Sequence, residues 1–233
     1  MVKQRHLAKP DAKSVVSMSL AGYCGAECVN DPVNQAISSL HAVGILVAVA
    51  AGNNYGGDAC FLFPASASDA ITVAASDQFD FLAGFSNIGT CVDVIGPGSA
   101  VNSACAKGFG SLSCPEDMSY KILSGTSMST PHVAGTLALL LEKHLSSFNS
   151  AADVVKSALL CDAVQDKIQG VPVETTPNLL VQVPQDDNTF NRCLVPSLSP
   201  TALPTEAPSM APTGPSVAPS FIPTLAPTAC LLM

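Results

Sequence analysis

The chain has 233 residues, of which 48% are apolar and 12% charged, and its formal net charge is -8. A chain of this length and apolar content can bury one sizeable core. The acidic balance argues against a nucleic-acid-binding surface, because the only local cluster of basic residues is Lys3, Arg5, Lys9 and Lys13, which is interpreted as an exposed N-terminus.

The longest apolar run, at 44–51, is far too short to cross a bilayer, so no membrane-spanning helix is predicted. Nine cysteines without a CxxC pair favour disulfides over a zinc site, which indicates a secreted or extracellular protein. The first fifteen residues nevertheless lack the apolar core of a signal peptide. We therefore expect the front of the protein to be missing from this sequence.

From Ser14 to about Leu145, short β-rich runs alternate with helical patterns, which is typical of βαβ units and predicts an α/β fold with a parallel sheet. The predicted strands lie at 15–20, 44–51, 70–75 and 91–95, and the predicted helices at 30–43 and 130–144. The second strand, GILVAVAA, is apolar throughout, as expected for a strand buried on both faces. The second helix is apolar nearly all round and is predicted to be central and largely buried.

The composition changes after about Cys193. Segment 196–229 contains nine prolines, each followed directly by Ser or Thr, and most of them recur every four residues. This pattern disfavours helix and sheet and favours an extended polyproline-like chain. We predict a folded domain at 1–190 and a low-complexity tail at 194–233. The tail's composition fits an O-glycosylated stalk or a tether to a cell wall or matrix, and it equally fits a plain disordered linker.

The strongest chemical signal is GTSMSTPHVAG at 125–135, where a loop meets the start of the buried helix. A helix N-terminus offers unpaired N–H groups and the positive end of the helix dipole to an oxyanion that forms beside it. Pro131 fits the first helical turn, where a missing N–H costs little. Ser127 is therefore a candidate nucleophile, although Gly-x-Ser before a helix also occurs as an ordinary cap.

In this motif and in four further segments the sequence resembles the subtilisin-like serine proteases, and most of all their proteinase K branch. The segments follow one another in the family's order, and the resemblance covers roughly residues 14–180. They are VVSMSLAG at 15–22, GILVAVAAGNN at 44–54, FPAS at 63–66, FSNIGTCVDVIGPG at 85–98 and SGTSMSTPHVAG at 124–135. The resemblance implies a three-layer fold, with a mostly parallel sheet flanked by helices, and a serine endopeptidase that acts on proteins or peptides.

The same resemblance implies a role for individual residues. Ser127 would attack the scissile carbonyl and form an acyl-enzyme, while the side-chain amide of Asn53 and the backbone N–H of Ser127 would form the oxyanion hole. Two chain edges would flank an extended substrate, and the first would pair with it as a strand. Their residues are Ser19, Leu20, Ala21, Gly22, Ala50, Ala51 and Gly52. Ala21 departs from the family, which commonly carries glycine there, and this puts close approach of the substrate backbone in doubt.

A serine hydroxyl needs a neighbouring base, and in this family the base is a His oriented by an Asp, both upstream of the serine. Neither His6, His41, His132 nor His144 lies in a segment like the family's histidine motif, and no Asp-Thr-Gly or Asp-Ser-Gly occurs. We expect this chain alone to be inactive, with the triad completed by sequence not present here. The alternative is a catalytically inactive remnant that acts as a wall- or matrix-attached binding module through its tail.

The cysteines are also interpreted through the resemblance, since some bacterial relatives carry a disulfide at the places of Cys60 and Cys91. We predict this bridge. The other cysteines are compatible with Cys24–Cys28, Cys105–Cys114 and Cys161–Cys193. Cys230 would then be left over, either free or paired with another molecule.

Proteinase K-like enzymes bind calcium near the segments that align with Ser68, Ala70 and Asp93, through backbone carbonyls and one carboxylate. The resemblance therefore implies a structural calcium ion at these three residues. The alternative is that Asp93, in a strand expected to be buried, is satisfied by backbone N–H groups. The sequence leaves both readings open.

Overall fold

The computed structural model describes residues 1–9, 13–105, 119–143 and 152–183. Helices α1 to α4 span Val2–Leu7, Pro32–His41, Thr126–Lys143 and Ala152–Asp162, and two short 3-10 helices span Gly25–Asn30 and Ala59–Phe61. Strands β1 to β10 span Val15–Met18, Gly22–Tyr23, Leu46–Ala50, Leu62–Phe63, Ile71–Ser76, Val94–Pro97, Val101–Cys105, Ser119–Leu123, Val164–Gln165 and Leu179–Leu180.

Six strands form the main sheet, in the order β1-β3-β5-β6-β10-β9. The first five of these strands are all parallel to one another, and β9 at the edge is antiparallel to β10. Ala48 in β3 lies opposite Ser17 in β1 on one side and opposite Ile71 in β5 on the other. The prediction of an α/β fold with a mostly parallel sheet is confirmed.

Strand β3 shows why the sheet is covered on both faces. All five of its residues are buried, and successive side chains of a strand point to opposite faces. Leu46 and Ala48 pack in one cluster with residues of α3 and α4, whereas Val47 and Val49 pack in another with Ile37 of α2. Burying a Val, Leu or Ile side chain contributes about 1.5–3 kcal/mol, so an unbroken apolar strand holds both helical layers to the sheet.

The two main helices differ from their predicted limits. Helix α2 begins at Pro32 and not at residue 30, because the side chain of Asp31 caps it by accepting the Val33 N–H. Helix α3 begins at Thr126, four residues before the predicted start, so that Pro131 lies in the second turn. The prediction that this helix is largely buried holds for one side only, because Leu139 is 46% exposed on the other.

The start of β6 also differs from its prediction. The predicted strand began at Cys91, but β6 begins at Val94. The residues just before β6 are fixed by a disulfide and by a backbone hydrogen bond. Cys91 is joined to Cys60, as predicted, and the Asp93 N–H donates to the carbonyl of Thr72. The hairpin formed by β7 and β8 was not predicted.

The predicted Cys24–Cys28 bridge is present as well. Cys105 and Cys161 are also disulfide-bonded, but their predicted partners Cys114 and Cys193 lie outside the described residues, as does Cys230. Among the described helices, none combines the length and apolar character that crossing a bilayer requires. The proposed tail at 194–233 likewise falls outside the described residues.

Candidate active site

A cleft of about 610 Å³ opens where the ends of β1 and β3 meet the start of α3. The carboxyl ends of parallel strands lie at one edge of a sheet, and ligand sites of open α/β sheets form there. Eight of the nine residues predicted for catalysis and substrate binding line this cleft. They are Ser127, Asn53, Ser19, Leu20, Ala21, Gly22, Ala50 and Gly52.

Ala51 is the exception. It is fully buried, and its N–H donates to the carbonyl of Val73 in the neighbouring strand over 3.0 Å. Because this N–H is already bonded within the sheet, it is not available to a substrate. The structure therefore does not place Ala51 on the cleft wall.

Ser127 is the second residue of α3 and is half-buried at the cleft. Its N–H is one of the first four of the helix, which have no carbonyl partner within the helix. The position just before the helix favours glycine, because Gly125 has a φ of +154° and a Cβ there would lie 3.3 Å from Nδ2 of Asn53. The same Cβ position would lie 3.6 Å from the Ser127 nitrogen, so the Ser127 N–H and the Asn53 amide lie near one point beside Gly125.

The carbonyl of Ser127 has an unusual partner. Pro131 stands four residues later and has no N–H to donate to it, which normally destabilises a helix interior. Instead, the hydroxyl of Ser19 donates to this carbonyl over 2.8 Å. Ser19 was predicted only as part of the substrate edge, and the structure shows that it also ties the end of β1 to the first turn of α3.

Asn53 has one fixed orientation. Its Oδ1 accepts both the backbone N–H of Thr126 (2.9 Å) and the hydroxyl of Thr126 (3.0 Å). Because an N–H group can only donate, the oxygen must face Thr126, and the amide nitrogen is the group left for an acceptor in the cleft. The fully buried Thr126 side chain also accepts the N–H of Gly52 over 3.2 Å.

A second asparagine, which the sequence analysis did not single out, supports this loop from behind. The Asn87 side chain accepts the N–H of Asn54 (2.7 Å) and donates to the carbonyl of Ala51 (3.0 Å) and to Oδ1 of Asn54 (3.1 Å). Its backbone N–H donates to the carbonyl of Gly52. Asn87 is 1% exposed, and a polar residue inside the matching segment 85–98 is the signal that could have identified it.

Apolar side chains complete the cleft. Tyr23, Phe61 and Leu62 line it, and none of them was predicted. Leu20 and Phe61 are each 48% exposed, which leaves apolar surface open to a ligand. Glycine is favoured at position 22, because a Cβ there would come within 2.3 Å of the Phe63 ring.

The histidines of the described part have partners other than Ser127. His144 lies outside the described residues. The contacts of the others are His6 with Ser14 and Val43, His41 with Asp69 and Asp153, and His132 with Met128. None of these contacts supplies a base for the serine.

The three residues predicted for calcium do meet, but around a side chain of the protein. Lys156 Nζ lies 2.6 Å from the carbonyl oxygen of Ala70, 3.3 Å from that of Ser68 and 2.9 Å from a carboxylate oxygen of Asp93. A calcium ion does not fit among these oxygens together with the ammonium group. Across the described residues, no cluster of three or more His, Cys, Asp or Glu side chains could hold a metal ion.

The comparisons with known proteins agree on one family. A family model described as the subtilase family, Peptidase S8, matches residues 2–190. The chain is 40% identical over 178 residues to a subtilase-type proteinase of Schizosaccharomyces pombe, with 76% of this chain and 36% of that protein covered. It is 38% identical over 183 residues to an extracellular serine proteinase of a Thermus species, with 78% of this chain and 39% of that protein covered.

A solved structure shows the same fold. The crystal structure of a cold adapted subtilisin-like serine proteinase matches with a TM-score of 0.58 and 34% identity, covering 74% of this chain and 56% of that one. The chain spans little more than a third of the length of the two curated relatives named above.

Proposed function

Because the chain belongs to the subtilase family, we propose that it supplies the nucleophile and the oxyanion hole of a serine endopeptidase. Ser127 would attack the scissile carbonyl of a peptide and form an acyl-enzyme. The Ser127 N–H and the Asn53 amide would donate to the oxyanion that develops on the carbonyl oxygen.

One observation carries this proposal: the orientation of Asn53 beside Ser127. The asparagine oxygen is bonded twice to Thr126, so its amide is already aimed away from that residue before any ligand binds. Donors that need no reorganisation when charge develops are the most effective in stabilising it.

The substrate would be an extended peptide lying along Ser19–Gly22. These residues are accessible at the cleft, and the small side chains of Ala21, Ala50 and Gly52 leave room for a large apolar side chain beside Leu20 and Phe61. Pairing of the peptide with the first edge would provide backbone hydrogen bonds, while the apolar wall would favour uncharged side chains.

We further propose that the protein acts outside the cell. Two disulfides join described residues, and such bridges persist in oxidising compartments. Among the relatives, one is named an extracellular serine proteinase and another a cuticle-degrading serine protease. Attachment to a cell wall or matrix through the tail is part of the same proposal and rests on the tail's composition.

The test is active-site labelling with a fluorophosphonate, in protein that also carries the family's Asp and His. Wild type is expected to be labelled and Ser127→Ala is not. Ser124→Ala is the matched control, since this serine is exposed nearby and its hydroxyl accepts the Ala100 N–H over 2.9 Å. Equal labelling of wild type and Ser127→Ala would show that Ser127 is not the nucleophile. Folded protein that is never labelled would favour the inactive binding module.

A further inference from the structure

The cation at the predicted calcium site belongs to the protein itself. Lys156 lies in α4, and its ammonium group reaches across to the turn before β5 and to the residue before β6. An ammonium group has three N–H donors and no acceptor. Here three oxygens surround it, from Ala70, Ser68 and Asp93.

The remaining oxygen of Asp93 is also used. Its Oδ2 accepts the backbone N–H of Thr72 over 2.8 Å, while its Oδ1 faces the ammonium. The alternative of backbone N–H groups therefore holds for one carboxylate oxygen of Asp93, while the other oxygen faces an ammonium group in place of the implied calcium ion. The side chains of Lys156 and Asp93 are only 19% and 21% exposed, so the pair is largely screened from solvent.

The geometry is that of an ammonium group and not of calcium. The distances of 2.6 to 3.3 Å from Nζ to the oxygens suit N–H···O contacts. Calcium takes 6–8 oxygen ligands at about 2.3–2.6 Å. A calcium ion at the centre of these oxygens would stand where Nζ stands, and two positive charges cannot share that position.

We propose that Lys156 replaces a bound metal ion at this site, so that the region joining α4 to the starts of β5 and β6 is stabilised without calcium. Stabilisation by a bound ion rises and falls with the concentration of that ion. A cation fixed to the chain is always present. The inference concerns the stability of the fold and does not depend on the proposed peptidase activity.

The first measurement uses the wild-type chain. Thermal unfolding is followed by far-ultraviolet circular dichroism, because the chain contains no tryptophan. The melting temperature in about 10 mM calcium is expected to equal that in excess chelator within about 1 °C. A rise with calcium that Asp93→Asn abolishes would show that calcium binds here, and would overturn the proposal. This comparison does not require any Lys156 variant to fold.

The second measurement compares two changes of Lys156. Lys156→Ala removes the charge and opens the space, whereas Lys156→Met removes the charge and keeps a long side chain in it. Both leave Asp93 and two carbonyls without a cation, so the melting temperature is expected to fall by about 5–10 °C in each. Calcium at about 10 mM is expected to restore about 3 °C or more in the alanine variant and nothing in the methionine variant.

Lys167→Ala is the matched control. Lys167 forms an ion pair of 3.0 Å with Asp80, but it is 54% exposed, so its removal is expected to change the melting temperature by no more than about 2 °C. The proposal fails if Lys156→Ala is no less stable than this control. It also fails if calcium leaves the alanine variant unchanged, because the three oxygens would then not constitute a cation site.

Discussion

Replacing Asn87 by alanine tests whether the loop that carries Asn53 is held from behind. The wild-type side chain bonds the carbonyl of Ala51 and both the N–H and the side-chain oxygen of Asn54. These two residues flank Gly52 and Asn53. Asn87→Ala removes all three bonds while leaving Asn53 and its partner Thr126 untouched.

The stability lost in Asn87→Ala depends on which hydrogen-bond partners of Asn87 are buried. Ala51 is fully buried, and leaving a buried acceptor without its donor costs about 1–3 kcal/mol. Asn54 is exposed, so water can replace its two lost bonds and each is worth only about 0.5–1.5 kcal/mol. We expect a total loss of about 3 kcal/mol, which lowers the melting temperature by about 6–12 °C in a chain of this size.

The assay is thermal unfolding, with two companion variants. Asn102→Ala changes an exposed asparagine of β7 and is expected to shift the melting temperature by less than about 2 °C. Asn87→Asp keeps an acceptor for the Asn54 N–H but points a second oxygen at the Ala51 carbonyl, so it should be destabilised as well. If Asn87→Ala melted within about 2 °C of wild type, the reasoning that this side chain holds the loop would be wrong.

Two further predictions concern the cleft. Asn53→Asp keeps an oxygen facing Thr126 but replaces the amide donor. In peptide hydrolysis, kcat of the triad-bearing protein is therefore expected to fall at least about 10²-fold, while the melting temperature changes little. An unchanged kcat would show that Asn53 is not part of the oxyanion hole. Gly22→Ala is expected to lower the free energy of unfolding, measured with denaturant, by about 1–3 kcal/mol, because its Cβ would meet the Phe63 ring at 2.3 Å. In Gly84→Ala the Cβ would have nothing within 4 Å, so the free energy of unfolding should not fall. Equal stability of both glycine variants would contradict the close approach.

The features predictable from sequence were those that leave a local pattern. The apolar run at 44–51 becomes β3 because only a strand covered on both faces buries every side chain. The parallel sheet follows from the alternation of such runs with helical segments. The start of α2 also leaves a local signal, because Asp31 caps the helix directly before Pro32. The start of α3 was less accessible, because the Ser127 carbonyl, which Pro131 leaves without an N–H partner, is bonded by the Ser19 hydroxyl 108 residues away.

The features that were missed depend on contacts between distant residues. Asn87 is polar and buried, but nothing near it in the sequence shows that it bonds Ala51 and Asn54. Lys156 is a single lysine on a short helix, where the sequence alone suggests a solvated charge. Its partners lie 86 and 88 residues away in the sequence, so only the folded chain reveals that it serves as a cation for three oxygens.

The hydrogen bonds that orient Asn53 have a consequence for folding. They join residues 73 apart in sequence, and the bond from Ser19 to Ser127 spans 108 residues. Contacts of such long range form only when most of the topology is in place, since each closes a large loop. A partly folded copy would therefore carry Ser127 without the hydrogen bonds that orient Asn53. The peptidase activity proposed above would then arise only after this topology is complete.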